Sequence, residues 1–154
     1  MQIIVNCLLL YQGMALFLCK PRRNWSVCPG GKIELAEHVQ EAVIREYKEE
    51  TAITLIDPQL KAISFNIYKK DTKVVKQILM FTFLATKYQG ENWDSCHEGK
   101  LSWIPKDKIL QQDMAAGDRI ILEHLLNHQS ILSATFIYDE KEQLISHRFS
   151  VMNT

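Results

Sequence analysis

The chain carries no net charge, since 18 Lys and Arg balance 18 Asp and Glu. No bulk field draws it toward nucleic acid or a membrane surface, so binding of either is not expected. It also lacks any apolar run of the roughly 20 residues that cross a bilayer as a helix. The run nearest the start, Ile3 to Leu10, contains Asn6 and Cys7 and reads as a strand, neither a membrane span nor a secretory segment. Cysteine is sparse and unpatterned: Cys7, Cys19, Cys28 and Cys96 show no CxxC spacing. Cys96-His97-Glu98 offers metal-ligating side chains, but no second Cys/His pair stands at ligand spacing, so zinc is not expected. The thiols are expected to be buried or free in a reducing cytoplasm. Repeats, low-complexity stretches and linkers are absent as well. With 154 residues, 47% hydrophobic and 23% charged, one domain spanning 1–154 with a sizeable core is expected.

What is present is acid. The seventeen residues from Glu34 to Glu50 carry six acidic side chains and end in Glu46, Glu49 and Glu50. A helix over Leu35–Thr51 puts those last three on one side, because positions i, i+3 and i+4 share a face. Val39, Ala42 and Val43 lie on the same side, so the face starts apolar and ends acidic. Like charges at this spacing repel by a few tenths of a kcal/mol, and acids at a helix C-terminus meet the negative end of its dipole. Two readings are open. One is a solvated acidic surface. The other is a site for a hard divalent cation such as Mg²⁺, which favours oxygen ligands. Pro29-Gly30-Gly31 directly precedes the helix and lets backbone approach a ligand closely, which favours the second reading.

The rest of the chain alternates strands with one further helix. Ile3–Tyr11 and Met14–Cys19 flank a Gln12-Gly13 turn, and a basic loop, Lys20 to Asn24, leads to a short strand at Trp25–Cys28. Ile53–Ile56, Leu60–Tyr68 and Val75–Lys87 follow. The last of these is nearly continuous in apolar and β-branched residues, as for a central strand buried on both sides. A polar loop, Gly90–Gly99, precedes a strand at Leu101–Ile104. Asp118–Asn127 has helical apolar spacing, and Ile131–Tyr138 and Gln143–Phe149 form a last hairpin. This pattern fits an α/β class, an α/β/α sandwich around a mixed β-sheet.

From Gly31, five residues lead to Glu37 and seven more to Arg45, after which Arg45-Glu46-Tyr47-Lys48-Glu49-Glu50 follows. This resembles the Nudix box, with every charged position at the family's spacing over Gly31 to Ile53. Tyr47 stands where an aliphatic residue is usual, and Ala52 where Gly is usual. The resemblance implies the Nudix fold and hydrolysis of a pyrophosphate link in a nucleoside diphosphate derivative. It implies Glu46, Glu49 and Glu50 as metal ligands for Mg²⁺, with Mn²⁺ as a substitute, and the Gly30 or Gly31 carbonyl as a further ligand. Arg45 matches the arginine that orients these acids, and the Arg45-Glu46-Glu49-Glu50 set is the expected catalytic core. Gly31 and Glu37 are read as structural, Glu37 capping the helix start or pairing with Arg45. Glu98 sits where MutT-like members place an acid ahead of a Trp-bearing strand, and is expected as a metal ligand or as the base for water.

Met114 to Asp118 followed by a helix, then Ser133 to Tyr138, is similar to the C-terminal part of MutT-like 8-oxo-dGTP diphosphatases of Gram-positive bacteria. Ala115 and Ala116 stand where some relatives keep a base-stacking Trp. Lys20, Arg22 and Arg23 are candidate phosphate contacts, and Trp25 is either a base-stacking or a core side chain. Asp118 is a candidate acceptor for a guanine-like edge or the N-cap of the following helix. The expected reaction takes a nucleoside triphosphate, 8-oxo-dGTP among the candidates, to a monophosphate and pyrophosphate. A guanosine polyphosphate alarmone, a capped RNA 5′ end or a nucleotide sugar is the alternative substrate. A domain that only senses nucleotides, or one that uses the acidic helix for docking, is the alternative function. The oligomeric state is not legible.

Overall fold

The computed structural model describes residues 1–153. Its strands are β1 Gln2–Tyr11, β2 Met14–Cys19, β3 Ser26–Val27, β4 Gly30–Lys32, β5 Thr54–Ile56 and β6 Gln59–Lys70. They continue with β7 Lys73–Ala85, β8 Lys87–Gln89, β9 Ser95–Cys96, β10 Gly99–Pro105, β11 Ile131–Tyr138 and β12 Leu144–Met152. The helices are α1 Val39–Thr51 and α2 Ala116–Asn127.

The main sheet runs β12-β11-β6-β7-β1-β2-β10-β9, with β3 on β2 and β4 on β1. It is mixed: β1 pairs with β7 and β11 with β6 in parallel, and the remaining pairs are antiparallel. β1 and β2 pair only beside their turn, at Leu10↔Ala15 and Tyr11↔Met14, and then diverge. The short strands β3 and β4 pair with them in the gap, which is how the Pro29-Gly30-Gly31 segment comes to lie beside the sheet.

Strand alternation divides the core in two. Val5, Cys7 and Leu9 of β1 pack with Ala42, Val43 and Tyr47 of α1 on one face. Leu8 of β1, with Ala62, Met80, Leu132, Ala134 and Phe136, packs against Ile121, Leu122 and Leu125 of α2 on the other. The α/β/α sandwich expected from the sequence is present. No described helix is long and apolar enough to cross a membrane.

Several local expectations need correction. The first helix begins at Val39 rather than Leu35, because Ala36 sits at φ 66° and breaks the helical path. His38 is the cap: its ring nitrogen accepts the Glu41 N–H at 3.3 Å, while Glu41 accepts the His38 N–H at 3.1 Å. Glu37 is therefore not the cap. The expected strand at Trp25–Cys28 shrinks to Ser26–Val27. The expected polar loop at Gly90–Gly99 holds the short strand β9. β7 is central, but only its second half is buried; Val74 and Val75 are exposed.

Candidate active site

α1 presents its acidic end to β4. Gly30 and Gly31 pair with Asn6 and Val5 of β1. A Cβ on Gly30 would strike the Val5 carbonyl and Asn6, and one on Gly31 would fall on the Glu46 carboxylate. Gly30 is thus required by close approach of backbone, whereas a side chain at 31 would displace the Glu46 carboxylate. Gly30 meets the cluster through its amide, which donates to Glu50 Oε1 at 3.3 Å.

Arg45 organises the cluster. Its Nε and Nη2 donate to the two oxygens of Glu37 at 2.6 and 2.9 Å. Its Nη1 donates to Glu46 Oε1 at 2.9 Å and Glu49 Oε2 at 3.1 Å, and Nη2 also meets the Lys32 carbonyl at 3.1 Å. One guanidinium fork thus fixes three carboxylates and a strand. The Arg45 bonds, with the Glu34 N–H, hold the Glu37 carboxyl down at about 2. The Glu37 carboxylate in turn raises the Arg45 guanidinium far above its ordinary range.

Glu50 lies deeper. Removal from water pushes its carboxyl up to about 7, and the charges of Glu98 and Glu46 push the same way. The Gly30 N–H and the Lys20 ammonium act in the opposite direction. Glu98, between β9 and β10, pairs with Lys20 at 3.7 Å. Glu37 pairs with Arg45, the second of the two roles read for it from the sequence.

The chemistry of this donor set fits a hard divalent cation. Glu46 and Glu49 each give one oxygen to Arg45, and Glu50 gives one to Gly30. The second oxygen of each has no protein hydrogen-bond donor among the described contacts. Partner groups on one oxygen are what orient a metal-ligating carboxylate. No three acidic, His or Cys side chains among the described residues already converge as a ligand shell, because Arg45 draws Glu46 and Glu49 toward itself.

The candidate substrate residues divide. Lys20 faces the acids. Arg22 and Arg23 pair instead with Glu142 in the β11–β12 turn, at 3.4 and 3.3 Å. Arg23 also lies over the half-buried Trp25, 5.0 Å from its ring centre. Asp118 is not the cap of α2: that position is Ala115, which supplies no side-chain bond, and Asp118 lies in the first turn. Asp118 lines a narrow recess of about 10 Å³ with Asn6, Ser26, Cys28, Met80 and Thr82. Loss of water raises the Asp118 carboxyl to about 6, and Lys20 lowers it. Asn6 Oδ1 and Thr82 Oγ1 are buried with no partner among the described protein atoms. An unpartnered buried acceptor is costly, so the recess presents polar atoms to whatever enters it. Sequence reading missed Asn6, Ser26 and Thr82 as site residues. For Asn6 and Thr82 the available signal was a polar residue inside an apolar run, 3–10 and 78–84; Ser26 had no such signal.

The sequence model of the NUDIX domain matches residues 2–125. An uncharacterized Nudix hydrolase of Bacillus subtilis, YvcI, is 43% identical over 148 residues, 96% of this chain and 94% of that protein. The 8-oxo-dGTP diphosphatase of Escherichia coli is 36% identical over 67 residues, 42% of this chain and 46% of that one. The crystal structure of a MutT protein from Bacillus halodurans superposes with a TM-score of 0.95 at 42% identity, covering 97% of this chain and 98% of that one. The box spacing, the Arg45-centred acid cluster and these matches together make the chain a member of the Nudix hydrolase family.

Proposed function

We propose that this Nudix hydrolase is a Mg²⁺-dependent pyrophosphohydrolase that converts a purine nucleoside triphosphate to a monophosphate and pyrophosphate, with 8-oxo-dGTP among its substrates. The observation that carries the reading is a basic side chain, Lys20, set against the acid cluster at Glu98. It pairs with Glu98 at 3.7 Å, and its charge acts on both Glu50 and Asp118. A nucleotide laid across it puts phosphate at the acid cluster and base at Asp118.

When bound, a divalent cation neutralises phosphate charge and acidifies the attacking water. The residues to hold it are Glu46, Glu49, Glu50 and Glu98, with the Gly30 carbonyl; Mn²⁺ suits the same oxygens. Arg45 keeps the carboxylates aimed. The water oxygen bonds to phosphorus, a bridging P–O bond breaks, and the water's proton passes to a carboxylate. Glu98 and Glu50 are the two bases in reach of the cluster. Lys20 offers its ammonium to the phosphates. Asp118, with Asn6 and Thr82, meets the base edge by hydrogen bonds. Kinship with a MutT protein of B. halodurans and, over less than half the chain, with an E. coli 8-oxo-dGTP diphosphatase supports this substrate class.

The test is release of phosphate and pyrophosphate from a nucleotide panel with and without Mg²⁺. Pyrophosphate from purine triphosphates only with Mg²⁺, cut on the order of a hundredfold by Glu50→Gln, is expected. No release from any nucleotide that the protein binds would make it a sensor. Release from a dinucleoside or sugar diphosphate in preference to a triphosphate would move the substrate class.

A further inference from the structure

The domain model ends at Leu125, and the β11–β12 hairpin lies beyond it. The hairpin nonetheless packs against α2, the helix that carries Asp118. β11 joins β6 in parallel from Leu132↔Ala62 to Tyr138↔Tyr68, and its inward residues Leu132, Ala134, Phe136 and Tyr138 are buried. Tyr138 stacks on Tyr68 with ring centres 5.3 Å apart and planes 16° apart.

At its other end Tyr138 meets α2. The first turn of a helix leaves backbone amides without partners, and a side chain at the cap position ordinarily takes one. Ala115 cannot do so. The Tyr138 hydroxyl oxygen does it instead, accepting the Gly117 N–H at 2.8 Å in a buried setting. The contact is close: a Cβ on Gly117 would overlap the Tyr138 hydroxyl and the Phe136 ring. The residue after Gly117 is Asp118. A hydrogen bond from the C-terminal hairpin thus reaches the turn that carries Asp118.

We propose that Tyr138 is a positioning residue for base selection: its phenol oxygen, by holding the Gly117 amide, aims the Asp118 carboxyl into the recess beside Asn6 and Thr82. The inference rests on the reading that Asp118 meets the base. It assigns part of that choice to the C-terminal hairpin, and it gives a reason for glycine at 117, which must admit the phenol.

Tyr138→Phe deletes one oxygen and keeps the ring and its stack, so the fold is retained. The experiment measures kcat/KM with Mg²⁺ for 8-oxo-dGTP, dGTP and dATP in wild type, Asp118→Asn, Tyr138→Phe and the double variant, with a melting temperature for each. Asp118→Asn is expected to collapse the ratio between guanine-type and adenine substrates. Tyr138→Phe is expected to move that ratio the same way by about fivefold, the size of one net hydrogen bond, with kcat for the poorest substrate unchanged. The double variant should discriminate no worse than Asp118→Asn. A lowered melting temperature with the wild-type ratio in Tyr138→Phe, while Asp118→Asn collapses it, overturns the inference and leaves the base reading standing. An unchanged ratio in Asp118→Asn overturns both.

Discussion

Ala52 occupies the position where the family's pattern has glycine. It takes the left-handed conformation that glycine would, with φ 73°, and its N–H still caps the helix at the Lys48 carbonyl, 2.8 Å away. The chain does not take another path; it accepts the strain of a Cβ there, about 1 kcal/mol. Ala52→Gly should therefore stabilise the protein by about 1 kcal/mol, read as a higher urea midpoint with unchanged turnover. A lower midpoint would mean that the Ala52 methyl packs usefully. Tyr47, the other departure, is fully buried, and its hydroxyl finds no partner among the described protein atoms. Both departures were visible in the sequence. Their outcomes were not, because backbone strain and a missing hydrogen-bond partner depend on neighbours far along the chain.

At the scale of elements, helix α1 was legible where its charges are and obscure where it begins. The facing of Glu46, Glu49 and Glu50 follows from helical period alone. The start at Val39 depends on the positive φ of Ala36 and on a histidine cap, neither of which hydropathy encodes. The same limit explains the basic loop. Nothing local in Arg22 and Arg23 says that Glu142, from the last hairpin, holds them. What the loop–helix–strand arrangement does make plain is the geometry demanded of Arg45. Its three nitrogens serve Glu37, Glu46, Glu49 and the Lys32 carbonyl together. A lysine carries the charge but not the fork. Arg45→Lys should lower kcat by about ten- to a hundredfold, as loss of an outer partner of metal ligands does, and should raise the Mg²⁺ needed for half-maximal rate. Wild-type kcat and Mg²⁺ dependence in that variant would reduce Arg45 to a counter-charge.

At the scale of the molecule, the fold holds two carboxyls above their ordinary values. Glu50, beside Gly30, rises from 4.5 to about 7, and Asp118, beside Cys28, from 3.8 to about 6; in both, loss of water is the largest cause. The folded state therefore keeps protons that the unfolded chain releases at lower pH. Stability must fall as pH rises wherever the folded state binds more protons. For Glu50 the contribution is fully present below about 4.5 and is lost as pH passes through about 7. A cation at the cluster reverses the trend, since it needs the ionised carboxylate and its binding releases the proton. In chelator, melting temperature should decline between about pH 5 and 8, and Glu50→Gln should flatten part of that decline. With Mg²⁺ in excess, the wild type should gain more from the ion at pH 8 than at pH 6, and Glu50→Gln should gain little at either. Identical pH profiles for wild type and Glu50→Gln, with and without Mg²⁺, would show that the raised carboxyl is not where the cation and the proton compete.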